Sequence, residues 1–221
     1  MRELVLTQDG SHTLFSTHHA VHYHSKFGAI TESAHVFINA GLRMKAAEQN
    51  EISIFEMGFG TGLNAYMAAL EAQKRNLKIK YTAVENFPIS LEEYKKLNYP
   101  RLLEGKPVSE ILEKIHLCDW EAFHFVNENF QLHKKKCPVE TLVFRNEFDL
   151  IFFDAFAPDI QPELWTADMM KKMYESLKPA GILTTYCAKG SVKRTLKSVG
   201  FVIESIAGPP GKREMTRAIK S

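Results

Sequence analysis

The chain has 221 residues, of which 45% are hydrophobic and 24% charged, and carries a net charge of +2. That length supports one substantial core and is short for two, and no apolar run approaches the roughly 20 residues needed to cross a bilayer. Three widely spaced cysteines (Cys118, Cys137, Cys187) make neither a disulfide framework nor a paired-cysteine zinc site. With no leader-like amino terminus, a soluble cytoplasmic protein without membrane contact is the expectation.

Residues 1–50 read as a β-rich extension, because segments 3–7 and 12–16 flank Asp9-Gly10, a signal for a tight hairpin. Six of the nine histidines fall here. The spacing of His18, His19, His22 and His24 matches no catalytic zinc motif, and no acidic or cysteine partner completes a set, so no metal is expected. From residue 51 to 221 the pattern turns to alternating strands and helices, the mark of a Rossmann-like α/β domain. Strands are predicted at 52–57, 79–84, 114–117, 148–154, 181–186, 201–205 and 215–219, a seven-stranded sheet. Helices are predicted at 62–74, 90–97, 108–113, 120–131, 162–177 and 191–199. Ser90 with Glu93 makes a capping box, and Lys178-Pro179-Ala180-Gly181 stops the helix before it.

The first strand runs into Glu56-Met-Gly58-Phe-Gly60-Thr-Gly62, with Asn64 in the helix that follows. Glycines there let backbone amides and the positive helix end approach a polar ligand. The G-x-G-x-G spacing departs from the G-x-G-x-x-G of dinucleotide folds, and no Gly-Lys-Ser/Thr follows to make a phosphate loop. Glu85 ends the next strand, where a carboxylate can accept both ribose hydroxyls. Together the two features favour S-adenosylmethionine. Asp119 either bonds an adenine amino group, with Trp120 flanking the ring, or caps a helix beginning at Trp120.

The apolar run 148–153 ends in Asp154-Ala-Phe156-Ala-Pro158. Ligands of such folds sit at the carboxyl ends of strands, so Asp154 is expected in the crevice beside the donor methyl. An amine acceptor must lose a proton before it attacks, and Asp154 is the candidate acid/base. Phe156 and Pro158 are candidate acceptor contacts. Residues 189–221 hold eight basic residues against two acidic ones, +6 against −4 for the remainder. Lys189, Arg194, Lys212 and Arg213 are the candidates there for holding phosphates.

Taken together, the segments 23–42, 55–64, 84–88, 154–158 and 211–215 resemble the methyltransferase part of the MnmC family. The resemblance implies a seven-stranded methyltransferase fold and transfer of a methyl group to the amine of 5-aminomethyl-2-thiouridine at the tRNA wobble position. It implies Asp154 as catalytic acid/base, with Gly58, Gly60, Asn64, Glu85 and Asp119 around the donor. The tRNA partner would be met through its anticodon stem-loop, with a transient link to the enzymes that install the aminomethyl group. Two-domain members carry a flavin oxidase after the methyltransferase; the sequence ends at Ser221, so no flavin is expected. Two other readings compete: a spermidine-synthase-like aminopropyltransferase, and a non-catalytic RNA- or adenosylmethionine-binding module. The first lacks support in Thr61-Gly62-Leu63, where an acid is usual, and the second would make Asp154 dispensable.

Overall fold

The computed structural model describes residues 2–221; Met1 of the predicted extension lies outside them. Strands β1 (Arg2–Leu6), β2 (His12–Ser16) and β3 (Val21–His22) form an antiparallel sheet in that order. The turn at Asp9 is pinned to α1 (Ala29–Ser33). One carboxylate oxygen accepts from the Ser11 amide (2.9 Å) and the other from the Thr31 amide (2.9 Å) and hydroxyl (2.8 Å). Burial raises the pKa of Asp9, but the Ser11 and Thr31 donors outweigh it and bring it to about 2.

The second half of the predicted β-rich extension is helical. From α1 the chain continues as a π-helix (Ala34–Leu42) and α2 (Arg43–Ala46). Val36, Phe37, Ile38 and Leu42 are fully buried in the same core as the main sheet. A Cβ at Gly41 would lie 3.2 Å from Leu150 and 3.3 Å from Phe152, so the helix rests closely on the sheet.

That sheet is built from β4 (Glu51–Met57), α3 (Leu63–Arg75), β5 (Lys78–Val84), α4 (Leu91–Tyr94), α5 (Tyr99–Leu103) and α6 (Glu110–Leu117), then β6 (Phe123–Asn127), β7 (Phe130–Lys135) and β8 (Phe148–Phe153). It closes with α7 (Ala167–Ser176), β9 (Leu177–Thr185), α8 (Gly190–Ser198), β10 (Phe201–Ala207) and β11 (Glu214–Lys220). Its strand order is β10-β11-β9-β8-β4-β5-β7-β6. The five from β9 to β7 are parallel; β11 and β6 run antiparallel to their neighbours. From β4 the chain steps to one side, then returns to β8 on the other, so the crevice between their carboxyl ends is a topological switch point. The Ser90 and Glu93 capping box is formed as expected. No helix of the described residues is long and apolar enough to cross a membrane.

The sheet has eight strands where seven were expected, because one stretch folds differently. Residues 114–117, predicted as a strand, are the last turn of α6: Leu112 and Ile115 are its buried face, and the Ser109 hydroxyl accepts from the Leu112 amide. Residues 120–131, predicted as a helix, enter the β6–β7 hairpin, in which Phe130, Leu132 and Lys134 alternate inward. The Lys134 ammonium, fully buried, donates to the carbonyls of Ile115 (2.8 Å) and His116 (3.0 Å) at the end of α6. The predicted helix 162–177 is also broken, into a 3-10 turn (Pro162–Trp165) and α7.

Candidate active site

Beyond β4 the backbone turns left-handed at Gly58 (φ 86°) and Gly60 (φ 51°). A Cβ at Gly58 would meet the Asp154 carbonyl oxygen at 2.9 Å, and one at Gly60 the Tyr23 ring at 3.3 Å. Only glycine supplies both the conformation and the clearance. The amides of Gly58 and Phe59 each donate to the Val84 carbonyl at 3.1 Å, tying the loop to the end of β5. Glu85 completes the tie: its Oε2 accepts from the Gly60 amide (3.1 Å) and its Oε1 from the Phe87 amide (2.8 Å).

On the other side of the loop Asp154 leaves β8, its amide donating to the Met57 carbonyl at 3.0 Å. The Asn64 side-chain amide joins two carboxyls, donating to Asp154 Oδ2 (2.8 Å) and Glu56 Oε1 (2.9 Å). Burial, and then the charge of Glu32, push the Asp154 carboxyl up to about 7, against the Asn64 bond and the charge of Lys212. Burial and the neighbouring Asp154 push Glu56 well above the carboxylate range. Asn64 Oδ1 is buried and accepts no hydrogen bond from the described residues.

These groups open on a cavity of about 550 Å³. Of the residues named from sequence, it brings together Gly58, Gly60, Asn64, Glu85, Asp154 and Phe156. Glu56 lies behind the wall, holding Asn64, and Gly62 faces Phe59 and His116 instead. Asp119 and Trp120 do not border the cavity: Asp119 is exposed after α6, because the strand expected before it does not exist. The loop after β7 takes that place, with Cys137, Pro138, Val139 and Glu140. Pro158 is outside the lining as well.

The basic tail divides. Lys189 pairs with Asp159, and Lys212 pairs with Glu32 at 2.6 Å, while Arg194 and Arg213 are exposed. The Lys193 ammonium bonds both Glu214 (2.8 Å) and Ser205 (2.7 Å), which ties the start of α8 to the β10–β11 hairpin, next in sequence to the exposed Arg194 and Arg213.

Residues that sequence reasoning missed come from the extension. Arg2, His18, His19, Tyr23 and His24 all border the cavity. Tyr23 meets Phe156 edge-on at 5.2 Å and His19 meets it at 5.6 Å. The Arg2 guanidinium donates to the Tyr23 hydroxyl (2.7 Å) and pairs with Glu93. Among the described residues no group of three or more His, Cys, Asp or Glu has metal-binding geometry. The one sequence signal for these aromatic residues was their crowding in a short segment.

A family model described as S-adenosyl-L-methionine-dependent methyltransferase matches residues 108–221. The chain belongs to that methyltransferase family. Proteins from Burkholderia mallei and Burkholderia pseudomallei, each named tRNA 5-methylaminomethyl-2-thiouridine biosynthesis bifunctional protein MnmC, are 27% identical over 96% of this methyltransferase and 34% of their own length. It thus spans about a third of those relatives, and it is homologous to their methyltransferase part. The crystal structure of MNMC2 from Aquifex aeolicus superimposes with a TM-score of 0.80 at 26% identity, over 99% of this chain and 69% of that one. Spermidine synthase from Thermotoga maritima shares the fold, with a TM-score of 0.55 at 12% identity over 99% of this chain and 72% of that one.

Proposed function

We propose that this methyltransferase acts on the primary amine of 5-aminomethyl-2-thiouridine at the tRNA wobble position, giving 5-methylaminomethyl-2-thiouridine. The observation that carries the reading is Asp154: a carboxyl with a pKa of about 7, held by Asn64 at the rim of a cavity beside a glycine loop. The nucleoside is the one in the name of the Burkholderia relatives.

The residues present fit the donor. Gly58 and Gly60 keep the loop clear of side chains, Glu85 would offer carboxylate oxygens to ribose hydroxyls, and Asn64, on the cavity wall, has a buried Oδ1 with no partner among the described residues. When bound, S-adenosylmethionine supplies a methyl group on a positively charged sulfur, open to an amine lone pair. An alkylamine with a pKa near ~10 carries a proton instead of that lone pair at neutral pH. Asp154 accepts the hydrogen bond from this ammonium and takes its proton; a carboxyl at its ordinary value of 3.8 would be too weak a base. Neutral Glu56 leaves Asn64 fixed and adds no second negative charge. Phe156, His19 and Tyr23 make an aromatic wall suited to a flat base drawn out of its stack. Positioning supplies the greater part of the rate.

Residues 51–221 then form the catalytic domain, and the extension walls the acceptor side. Arg194 and Arg213 face the phosphates of the anticodon stem-loop in this reading, while Lys189 is held by Asp159. The reaction consumes a tRNA that already carries the aminomethyl group, and needs neither flavin nor metal. The test is labelled S-adenosylmethionine with tRNA lacking the final methyl, or with a polyamine, comparing wild type and Asp154→Ala. Label on the wobble nucleoside that disappears in the variant supports the reading. Label on the polyamine favours the spermidine-synthase-like alternative, and donor binding without transfer favours a binding module.

A further inference from the structure

Lys212 was expected to reach outward to phosphates, and it faces inward. Its ammonium lies 2.6 Å from Glu32 Oε1 and 3.9 Å from the centroid of the Tyr186 ring. Glu32, whose side chain is only 9% exposed, uses its second oxygen to accept from the Ser25 amide at 2.8 Å. The Tyr186 hydroxyl donates to the carbonyl of Ala155, the residue after Asp154, at 2.9 Å. A cation on a tyrosine face and a buried carboxylate together make an arrangement with little reason to let go for a phosphate. The loop that carries Lys212 is itself seated: a Cβ at Gly211 would collide with the Phe27 ring at 2.2 Å, and the Lys212 amide donates to the Pro209 carbonyl at 2.9 Å.

We infer that Lys212 is a positioning residue of the methyl-transfer site rather than a phosphate contact: paired with Glu32 and stacked on Tyr186, it fixes the charge and the backbone beside Asp154. The inference rests on the amine-methylation reading for its catalytic meaning, and on geometry alone for the arrangement.

The groups around Asp154 come from six parts of the fold. Glu56 and Tyr81 stand on β4 and β5, Tyr186 and Cys187 follow β9, Glu32 stands on α1, His24 follows β3, and Lys212 stands on the β10–β11 loop. Burial pushes Tyr81, Tyr186 and Cys187 up and holds His24 down at about 4, so these stay neutral near pH 7. Glu56 keeps its proton. That leaves Glu32 and Lys212 as the two charges acting on Asp154, with opposite signs. Without Lys212 the Glu32 carboxylate is uncompensated, and Asp154 holds its proton to higher pH. The base that should take the amine's proton is then already occupied.

The test reads the Asp154 carboxyl directly, by ¹³C NMR titration of aspartate-labelled protein, with its resonance assigned by its loss in Asp154→Asn. Lys212→Met is expected to raise the midpoint by about one pH unit and Glu32→Gln to lower it by about as much. The double variant returns towards wild type, and Lys212→Arg restores the midpoint. Methyl transfer to tRNA at pH 7 falls roughly five-fold in Lys212→Met, as expected for a base moved from about 7 to one unit higher. tRNA affinity and its salt dependence stay unchanged. A midpoint that moves in neither single variant overturns the inference, as does an unmoved midpoint in Lys212→Met with weaker tRNA binding and a shallower salt slope. Should Lys212→Met fail to fold, Glu32→Gln and Lys212→Arg still decide it. If wild type transfers no methyl to tRNA, the proposed function falls while the titration still reads the Glu32–Lys212 pair.

Discussion

The side-chain amide of Asn64 donates to Asp154 Oδ2 at 2.8 Å, across 90 residues of sequence. The same nitrogen donates to Glu56 Oε1, so one amide serves two carboxyls in a place that solvent hardly reaches. Ionising both at once would set like charges side by side with a single donor group between them, and burial opposes each separately. Glu56 is the more buried and keeps its proton; Asp154 opens on the cavity and titrates near neutrality. The division of labour between the two acids follows first from depth, with neighbouring charges adding to it.

Asp154→Asn should therefore stabilise the fold while abolishing turnover. The folded pKa of about 7 lies above the ordinary 3.8, so the folded protein holds a proton that the unfolded chain releases. This costs nothing below pH 3.8 and reaches its full size above about pH 7. Removing the carboxyl is expected to gain roughly 2 to 4 kcal/mol in urea unfolding at pH 8 and nothing near pH 4. Methyl transfer should fall by at least about 100-fold. A stability gain equal at both pH values would sink the account of a carboxyl strained by burial.

Gly58→Ala tests the loop. The backbone there is left-handed, which costs a side chain roughly 1 to 2 kcal/mol, and the added Cβ must displace the Asp154 carbonyl. Affinity for S-adenosylmethionine is expected to drop at least about ten-fold by calorimetry. Gly105→Ala is the control: its φ is +69°, but nothing lies within 4 Å of the new atom and it stands away from the cavity. It should lose stability of similar size with unchanged donor binding.

Four of the five parallel strands and the glycine turn were legible in sequence because they are local: apolar runs of fixed length, and glycines where β4 ends. Asp154 and Glu85 were legible for the same reason, each closing such a run. The stretch from Lys114 to Lys134 was not, since its decisive fact is a buried lysine. Lys134 at an inward position breaks the alternation that marks a strand, and its partners, two carbonyls at the end of α6, cannot be read from spacing. Misplacing that strand misplaced Asp119 with it. The extension's part in the cavity was equally hidden, because Tyr23 reaches Phe156 only once the small sheet folds over the carboxyl ends of the large one.

Lys134→Met should show what the buried ammonium holds. Methionine fills much of the volume but leaves the carbonyls of Ile115 and His116 without their donor, and removes a cation 4.9 Å from the Trp120 ring. The expected loss is about 1 to 3 kcal/mol in urea unfolding, with donor affinity changed by less than about three-fold. A variant as stable as wild type would mean that these carbonyls find other partners.

Arg194 and Arg213 carry the tRNA prediction that the structure leaves to the tail, since Lys212 and Lys189 are engaged with acidic partners. Both arginines are exposed and flank the Lys193–Glu214 pair, one on each element, so their reach to a phosphate backbone costs no buried contact. Each phosphate contact releases counterions, so removing two should weaken binding more at low salt than at high salt. The Arg194→Ala, Arg213→Ala double variant is expected to bind tRNA roughly ten-fold more weakly at 50 mM salt, with the slope of log affinity against log salt reduced by about one to two. Donor affinity and single-turnover rate at saturating tRNA should match wild type, because neither side chain borders the cavity. An unchanged salt slope would remove this face from the tRNA interface and leave the mouth of the cavity, with Arg2 and the histidines, as the surface to test.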